Sequence, residues 1–376
     1  MNGLTNSMNA SYRAWRSKTA DFPDQGSEAD KLRFLVGYAV LAPSKYNSQP
    51  WLFELRDDTL DLIYDRSWAF RVTDPESREL ILSCGAALLN LRLAAQHFEH
   101  PAVIETFPFA GDRYLLARIH LTDTKRNEQS HPLRSTGAGQ TCLLHTPERL
   151  PAFQPSNEEL FAAIKKRRTH RGCFWNGAPP EEVLTRCCKV AANGGAWLSI
   201  IKDCQTKRRL SDLVAWGVRE QMANRAFRRE LAQWIHPARG KSKDGLSAAV
   251  FGLHRPLDLL SPGLSLLLWT INWGRLIAAH HRELIESSPV LAVLGTTDDT
   301  PQAWLAAGEV LEAVLLHTTA AGLGASFSNQ PIEVQHLRNE LRSIIGRTGS
   351  PQILLRLGYG GRARHTPRRP ADEVLI

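Results

Sequence analysis

Six cysteines (Cys84, Cys142, Cys173, Cys187, Cys188 and Cys204) are scattered over 376 residues, far too thinly for a disulfide scaffold. Cys187 and Cys188 are adjacent, and within a helical run they read as core rather than as a redox pair. An apolar signal core is missing near the N-terminus, through Met8 and Arg16. The most apolar helical stretch, Leu264 to Ala279, is interrupted by Asn272 and Arg275 and is short for a membrane span. A soluble, cytoplasmic protein with no membrane partner is expected. Metal-ligating residues are equally sparse: His97 and His100 lack a third or fourth ligand nearby, so no metal is expected. His280–His281 reads as a helix-end cation pair. No nucleophile, base and orienting acid form a triad, and no catalytic residue is assigned.

The remainder is ordinary globular material, with 43% hydrophobic and 22% charged residues, enough to bury a sizeable core. The length suits about two domains or one large intertwined one. A net charge of +8 and a pI near 9.3 suit a phosphate-bearing ligand or weak nucleic-acid contact.

In chain order, residues before Ala29 read as a loose arm or a short helix packed on a partner. A helical run, Leu32 to Leu41, leads into Ala42-Pro43-Ser44-Lys45-Tyr46-Asn47-Ser48-Gln49-Pro50-Trp51. The two prolines are expected to keep this loop extended and rigid. Ser44, Asn47 and Gln49 offer uncharged hydroxyl and amide groups, suited to a flat ligand with polar edges such as a flavin ring. Leu52–Leu55 and Leu60–Tyr64 pair as a hairpin through Asp57-Asp58. Asp74-Pro75 is read as a helix N-terminus, with Leu80, Cys84, Leu88, Leu91, Ala95 and Phe98 on its buried face. Tyr114–Leu121 is a strand, and Thr122–Leu150 a linker.

The second half opens with a helix, Asn157 to Lys165, running into the strongest basic cluster, Lys165-Lys166-Arg167-Arg168-Thr169-His170-Arg171-Gly172-Cys173-Phe174. A solvated charged turn is the simplest account. Nucleic-acid binding would need interleaved aromatics or a recognised module, which are missing, so no nucleic-acid partner is expected. Glu181–Ala192 is helical, and Arg208 to about Arg255 forms an insertion with the character of a lid or dimer surface. Leu264–Ala279 reads as a buried helix, Pro289–Gly295 as a buried strand, and Thr300-Pro301 as the cap of a helix ending at Gly322-Leu323-Gly324. Pro351–Tyr359 is the last strand, before an arginine-rich tail.

The halves repeat one another weakly. Trp51-Leu52 answers Trp197-Leu198, Gly85–Leu88 answers Gly308–Leu311, and Tyr114–Leu121 answers Gln352–Gly358. The special motifs are shared out unequally, the Pro-Ser…Asn…Gln-Pro-Trp loop in the first half and the basic segment, Gly-Leu-Gly turn and arginine tail in the second.

Together these motifs, over roughly residues 30 to 376, resemble the FMN-dependent nitroreductase family and within it the Acg-like branch. Asp65-Arg66-Ser67, Thr73-Asp74-Pro75, Ser83–Ala87, Trp304–Gly308, Gln330–Glu333 and Arg368-Arg369-Pro370 carry the branch resemblance. It implies an α+β nitroreductase-like fold, two fused halves forming an intramolecular pseudo-dimer with one composite FMN site: an arm (1–28), a first half (29–150) and a second half (151–376). It implies that the FMN ring lies between Pro43, Ser44, Asn47 and Gln49 on one side and Gly324, Ala325 and Ser326 on the other. The phosphate would meet Arg167, Thr169 and Arg171 with one or both of Arg368 and Arg369. His170 departs from the family pattern and receives no role. The implied activity is an NAD(P)H-dependent two-electron reduction of nitroaromatics, quinones or similar acceptors. The alternative is an FMN storage or sequestration protein with a closed pocket and little turnover. FMN, and a small-molecule acceptor if active, are the expected partners of a monomer or homodimer.

Overall fold

The computed structural model describes residues 12–122, 153–236, 242–247, 266, 269–361 and 363–376. The expected linker beyond Thr122, Cys142 and part of the insertion lie outside them.

Helix α1 (Glu28–Ala39) starts with a reciprocal cap, Ser27 accepting from the Asp30 N–H while Asp30 accepts from the Ser27 N–H. After the Ala42–Pro50 loop, β1 (Trp51–Arg56) and β2 (Thr59–Tyr64) form the expected hairpin in full register. Helix α2 (Arg78–His97), β3 (Ala102–Thr106) and β4 (Leu115–Leu121) complete an antiparallel sheet ordered β1-β2-β4-β3. Asp74 is not the N-cap of α2. The helix starts four residues later, behind Ser77 at φ 62°, because Asp74-Pro75 closes a turn. The Asp74 carboxylate still reaches the first helical turn, accepting from the Leu80 N–H at 3.0 Å.

The second half contains α3 (Asn157–Lys166), α4 (Glu181–Asn193), β5 (Ala196–Ile201), α5 (Cys204–Ala223), α6 (Arg225–Gln233) and the short strands β6 (Ile235–His236) and β7 (Leu246–Ser247). It continues through α7 (Gly274–Glu286), β8 (Val290–Thr296), α8 (Pro301–Ala320), β9 (Gly324–Phe327), α9 (Gln330–Glu333), α10 (Gln335–Ile345) and β10 (Ser350–Gly358). Its main sheet is ordered β5-β8-β10-β9, the same order as the first sheet when each set of strands is counted along the chain. In each sheet the long central helix, α2 or α8, joins the second strand in sequence to the third.

These helices join the halves. A Cβ on Gly85 would lie 2.1 Å from the Leu305 carbonyl, and one on Gly308 would lie 2.1 Å from the Leu82 carbonyl. The contact is reciprocal, as at a two-fold interface, and only glycine permits it. Around it one apolar core runs from Leu32, Trp51 and Leu62 in the first half to Leu294, Leu315 and Leu357 in the second. The halves also exchange an end. Phe53 N donates to Val374 O at 2.8 Å and Ile376 N to Phe53 O at 2.9 Å, so the C-terminus of the second half pairs in parallel with the edge of the first sheet.

Three expectations are corrected. The insertion is more than a lid: Leu210, Val214, Phe227 and Leu231 pack with Leu291, Val293 and Leu354, roofing the outer face of the second sheet. Leu264–Ala279 is not one buried helix. Among its described residues α7 starts only at Gly274, after Asn272 caps the Gly274 N–H, and Leu266, Ile271 and Leu276 are exposed. His280 and His281 lie within α7, not at its end, and burial pushes the His281 imidazole down to about 4. The described part of the N-terminal arm packs on its own chain, Trp15 Nε1 donating to Thr366 O at 2.9 Å. No described helix is long and apolar enough to cross a membrane.

Candidate functional site

The Ala42–Pro50 loop is neither extended nor relaxed. Tyr46, Asn47 and Gln49 take φ values of 47°, 59° and 54°, a left-handed conformation that costs a non-glycine residue about 1–3 kcal/mol. The prolines at its ends therefore frame a tight turn, contrary to the extended backbone expected. Several contacts hold it. Gln49 N donates to Ser44 Oγ at 2.9 Å, and Gln49 Nε2 donates to Asn47 O and to Lys243 O at 3.2 and 2.7 Å. Strain of this kind gathers where function requires a fixed shape.

The second half meets this loop with arginines. Arg368 is buried, donating from Nη1 to Asn47 Oδ1 at 2.5 Å and from Nη2 to Ala42 O at 3.2 Å. Asn47 Nδ2 returns a bond to Pro367 O at 3.1 Å. Arg167, the C-cap of α3, donates from Nη2 to Leu41 O at 3.2 Å. Its Nε lies 3.3 Å from Glu312 Oε1 on α8, close enough for an ion pair but misaligned for a hydrogen bond. Asn90 of α2, with its amide turned to satisfy both ends, donates to Glu312 at 3.1 Å and accepts from Ala42 N at 3.3 Å.

The electrostatics are lopsided. Burial pushes the Glu312 carboxyl up to about 7 despite Arg167 beside it. Burial, and then the charges of Arg167, Arg168 and Arg171, hold the Arg368 guanidinium well below its usual range, with Glu312 alone opposing. Burial also lowers Arg171 to about 10, and no described residue pairs with it. The Nε groups of Arg167 and Arg368 are buried without an acceptor. Two guanidinium groups thus face the Glu312 carboxylate while two more crowd Arg368, and an unpaired buried donor costs about 1–3 kcal/mol.

The other anticipated residues fall around this cluster. Thr169 bridges Ala325 and His170 N donates to Ala325 O at 2.8 Å, so the basic segment runs along the edge of β9. The His170 ring stacks on Phe174 with centroids 4.9 Å apart. Ser326 Oγ accepts from buried Arg356 at 3.0 Å. Pro43 is buried beside Ser44, and Gly324 abuts Phe174 and His170. Arg369 departs from the other cations. Its N–H donates to Gln49 Oε1 at 2.7 Å, while its guanidinium lies 4.9 Å from the Trp68 ring centre.

Three residues were not anticipated. Trp15 carries Arg168 and Arg368 over its ring at 4.7 and 5.4 Å, a cation–π arrangement that fixes both forks. Its signal was an aromatic set between Arg13 and Arg16 in a polar arm. Glu312 and Asn90 gave no signal, since a lone polar residue in an apolar helix looks the same in any core.

No family model matches the chain. Mycobacterium tuberculosis (strain ATCC 25618 / H37Rv) has a protein named "Putative NAD(P)H nitroreductase Rv3131", 29% identical over 367 residues, covering 94% of this chain and 92% of the relative. A second from the same strain, "Putative NAD(P)H nitroreductase acg", is 28% identical over 357 residues, covering 94% and 97%. Over nearly its whole length this chain is similar to proteins named as NAD(P)H nitroreductases, Acg among them. Among solved structures, the FMN and NADPH-dependent nitroreductase NfnB from sphigopyxis sp. strain HMH aligns with 58% of this chain and 97% of its own, at 18% identity and a TM-score of 0.38. Oxidized iodotyrosine deiodinase bound to FMN and 3-iodo-L-tyrosine aligns with 56% and 94%, at 16% identity and 0.37.

Proposed function

We propose that the junction between the halves binds FMN and that the protein is an NAD(P)H-dependent two-electron oxidoreductase acting on nitroaromatic, quinone or similar acceptors. The observation that carries this reading is the gathering of Arg167, Arg168 and Arg171 around buried Arg368, with Glu312 the acid that opposes them. That surplus of donors and positive charge, with two guanidinium Nε groups unpaired, suits a terminal phosphate, which takes paired hydrogen bonds from an arginine fork. Arg167, Arg171 and Arg368, with Thr169, would hold the phosphate. Pro43, Ser44, Asn47 and Gln49 would face the ring from the first half, and Gly324, Ala325 and Ser326 from the second. Arg369, directed at Trp68, would act on the loop through Gln49. The bound flavin would supply the hydride chemistry. The protein's part is to fix the loop, neutralise the phosphate and exclude water.

One observation favours the second reading, a flavin-holding protein with little turnover. Gln49 Nε2 donates to Lys243 O at 2.7 Å, so the insertion touches the loop that would face the ring. The absorbance spectrum of the purified protein, followed anaerobically after NADH or NADPH is added, separates the readings. A flavin spectrum that bleaches within seconds supports the reductase. One that bleaches only with dithionite supports the closed protein. Absence of flavin, with no binding on reconstitution, sinks both. Arg167→Ala with Arg171→Ala is expected to release FMN from a folded protein.

A further inference from the structure

A cavity of about 780 Å³ separates the segment 67–72 of the first half from the insertion. Its walls are Ser67, Trp68, Ala69, Glu230, Trp234 and His236, and Arg71 and Arg229 stand exposed at its mouth. That volume is within the usual range for small-molecule sites. None of the residues assigned above to the phosphate or the ring lines it.

We propose that this cavity binds planar aromatic anions, an aromatic carboxylate being the simplest. Trp68 and Trp234 supply the aromatic wall, their ring centres 5.6 Å apart at 46°. The indoles touch one another, so a ligand would lie against their open faces and edges rather than between them. Behind them Trp234 packs on Phe70 at 4.8 Å and Phe70 on Tyr46 at 5.4 Å. This wall is therefore rigidly tied to the strained loop.

The polar groups choose the charge. By formal count two arginines and two acids balance, so the preference comes from which groups still have hydrogen bonds to give. Glu230 has none to give and little accepting capacity left: Oε1 accepts from Val72 N at 3.0 Å, and Oε2 from Thr73 N and Thr73 Oγ1 at 3.0 and 2.9 Å. Asp244 is engaged by Ser242 and lies 3.3 Å from His236 Nε2. Arg71 and Arg229, by contrast, have no partner among the described residues. Two free guanidinium forks beside an aromatic wall match a carboxylate on a flat ring. A ligand cation would find only acids already largely engaged. If the proposed flavin reaction holds, this is where an anionic aromatic acceptor would enter, and that role alone rests on the FMN reading; binding itself does not.

Calorimetry on the full chain, flavin-free and flavin-loaded, with 4-nitrobenzoate and the uncharged 4-nitrobenzyl alcohol, tests the site. The carboxylate is expected to bind at least tenfold more tightly in both forms. Arg71→Gln with Arg229→Gln, two exposed positions that leave the core untouched, is expected to abolish that difference, with circular dichroism confirming the fold. Equal affinities, no binding up to millimolar probe, or a preference surviving in the double variant would each overturn the assignment. A chain that binds 4-nitrobenzoate but never takes up FMN would leave the cavity standing and remove the flavin reading.

Discussion

At the scale of single residues, the chain buries charge where the halves meet. Lys45, inside the strained loop, is almost fully enclosed and pairs with Glu79 of α2 and with Glu333 of α9 at 2.8 Å. Glu79 also holds Arg78 at 3.1 Å, and Glu333 accepts from Gln221 at 2.6 Å. Burial, then the neighbouring Glu79, pushes the Glu333 carboxyl up even with Lys45 present. Removing the cation by Lys45→Met would strand that carboxyl, and breaking such a pair costs about 3–5 kcal/mol. Its folded pKa would rise further above the unfolded value, so the folded state would bind more protons and lose stability as pH rises. Urea unfolding is expected to find the variant weaker than wild type, with a larger gap at pH 8 than at pH 5. A gap independent of pH would show that Glu333 is not the group left unpaired. Glu312 obeys the same sign on its own. With a folded pKa of about 7 against 4.5, it takes up to about 3 kcal/mol of stability away as pH rises from 4.5 to 7, and nothing further above that window. Glu312→Gln in the flavin-free protein is expected to flatten this slope relative to wild type. Parallel slopes would refute the buried proton.

At the scale of elements, helices and hairpins were legible because their signals are local. The β1–β2 hairpin follows from alternation around Asp57-Asp58, and α8 from Thr300 before Pro301, whose hydroxyl does accept from Ala303 N. The repeat of Gly85 in Gly308 was visible as well. What it is for was not, because a glycine in a helix does not reveal which backbone passes over it. Leu264–Ala279 misled because apolar residues at helical spacing look buried, whereas Gly274 starts a new helix and leaves Leu276 in solvent. Of the candidate site, the arginines and amides that meet across the halves were legible. The left-handed residues Tyr46, Asn47 and Gln49 were not, since tyrosine and glutamine rarely adopt that conformation and one asparagine is too weak a signal. The glycine pair gives a direct test. Gly85→Ala puts a methyl 2.1 Å from the Leu305 carbonyl, where only movement of α2 away from α8 relieves the overlap. Overpacking costs about 1–3 kcal/mol, and a clash with backbone belongs at the top of that range. A fall in the urea midpoint at unchanged slope is the expected result. Wild-type stability would mean that the helices are not in this register.

At the scale of the molecule, the loop, the arginines and the C-terminal tail are one mechanical unit. The tail leaves β10, presents Arg368 to Asn47 and Arg369 to Gln49, and then anchors on Phe53 through Val374 and Ile376. Val374 is fully buried and Lys243 of the insertion pairs with Glu373, so one short segment ties the first sheet, the insertion and the arginine cluster together. Truncation after Arg369 keeps both arginines but removes the anchor. Val374 sits in the apolar core that α2 and α8 share, so the shortened chain is expected to be less stable but still to unfold in a single transition. Its arginines, however, would no longer be held against the loop. Ordering a long side chain costs about 1.5–2 kcal/mol, which for two arginines predicts flavin affinity weaker by roughly two to three orders of magnitude. Fluorescence titration of FMN against the full and truncated chains measures this directly. Unchanged affinity would mean that Arg368 and Arg369 are positioned by Asn47 and Gln49 alone, and that the exchanged tail serves the sheet rather than the site.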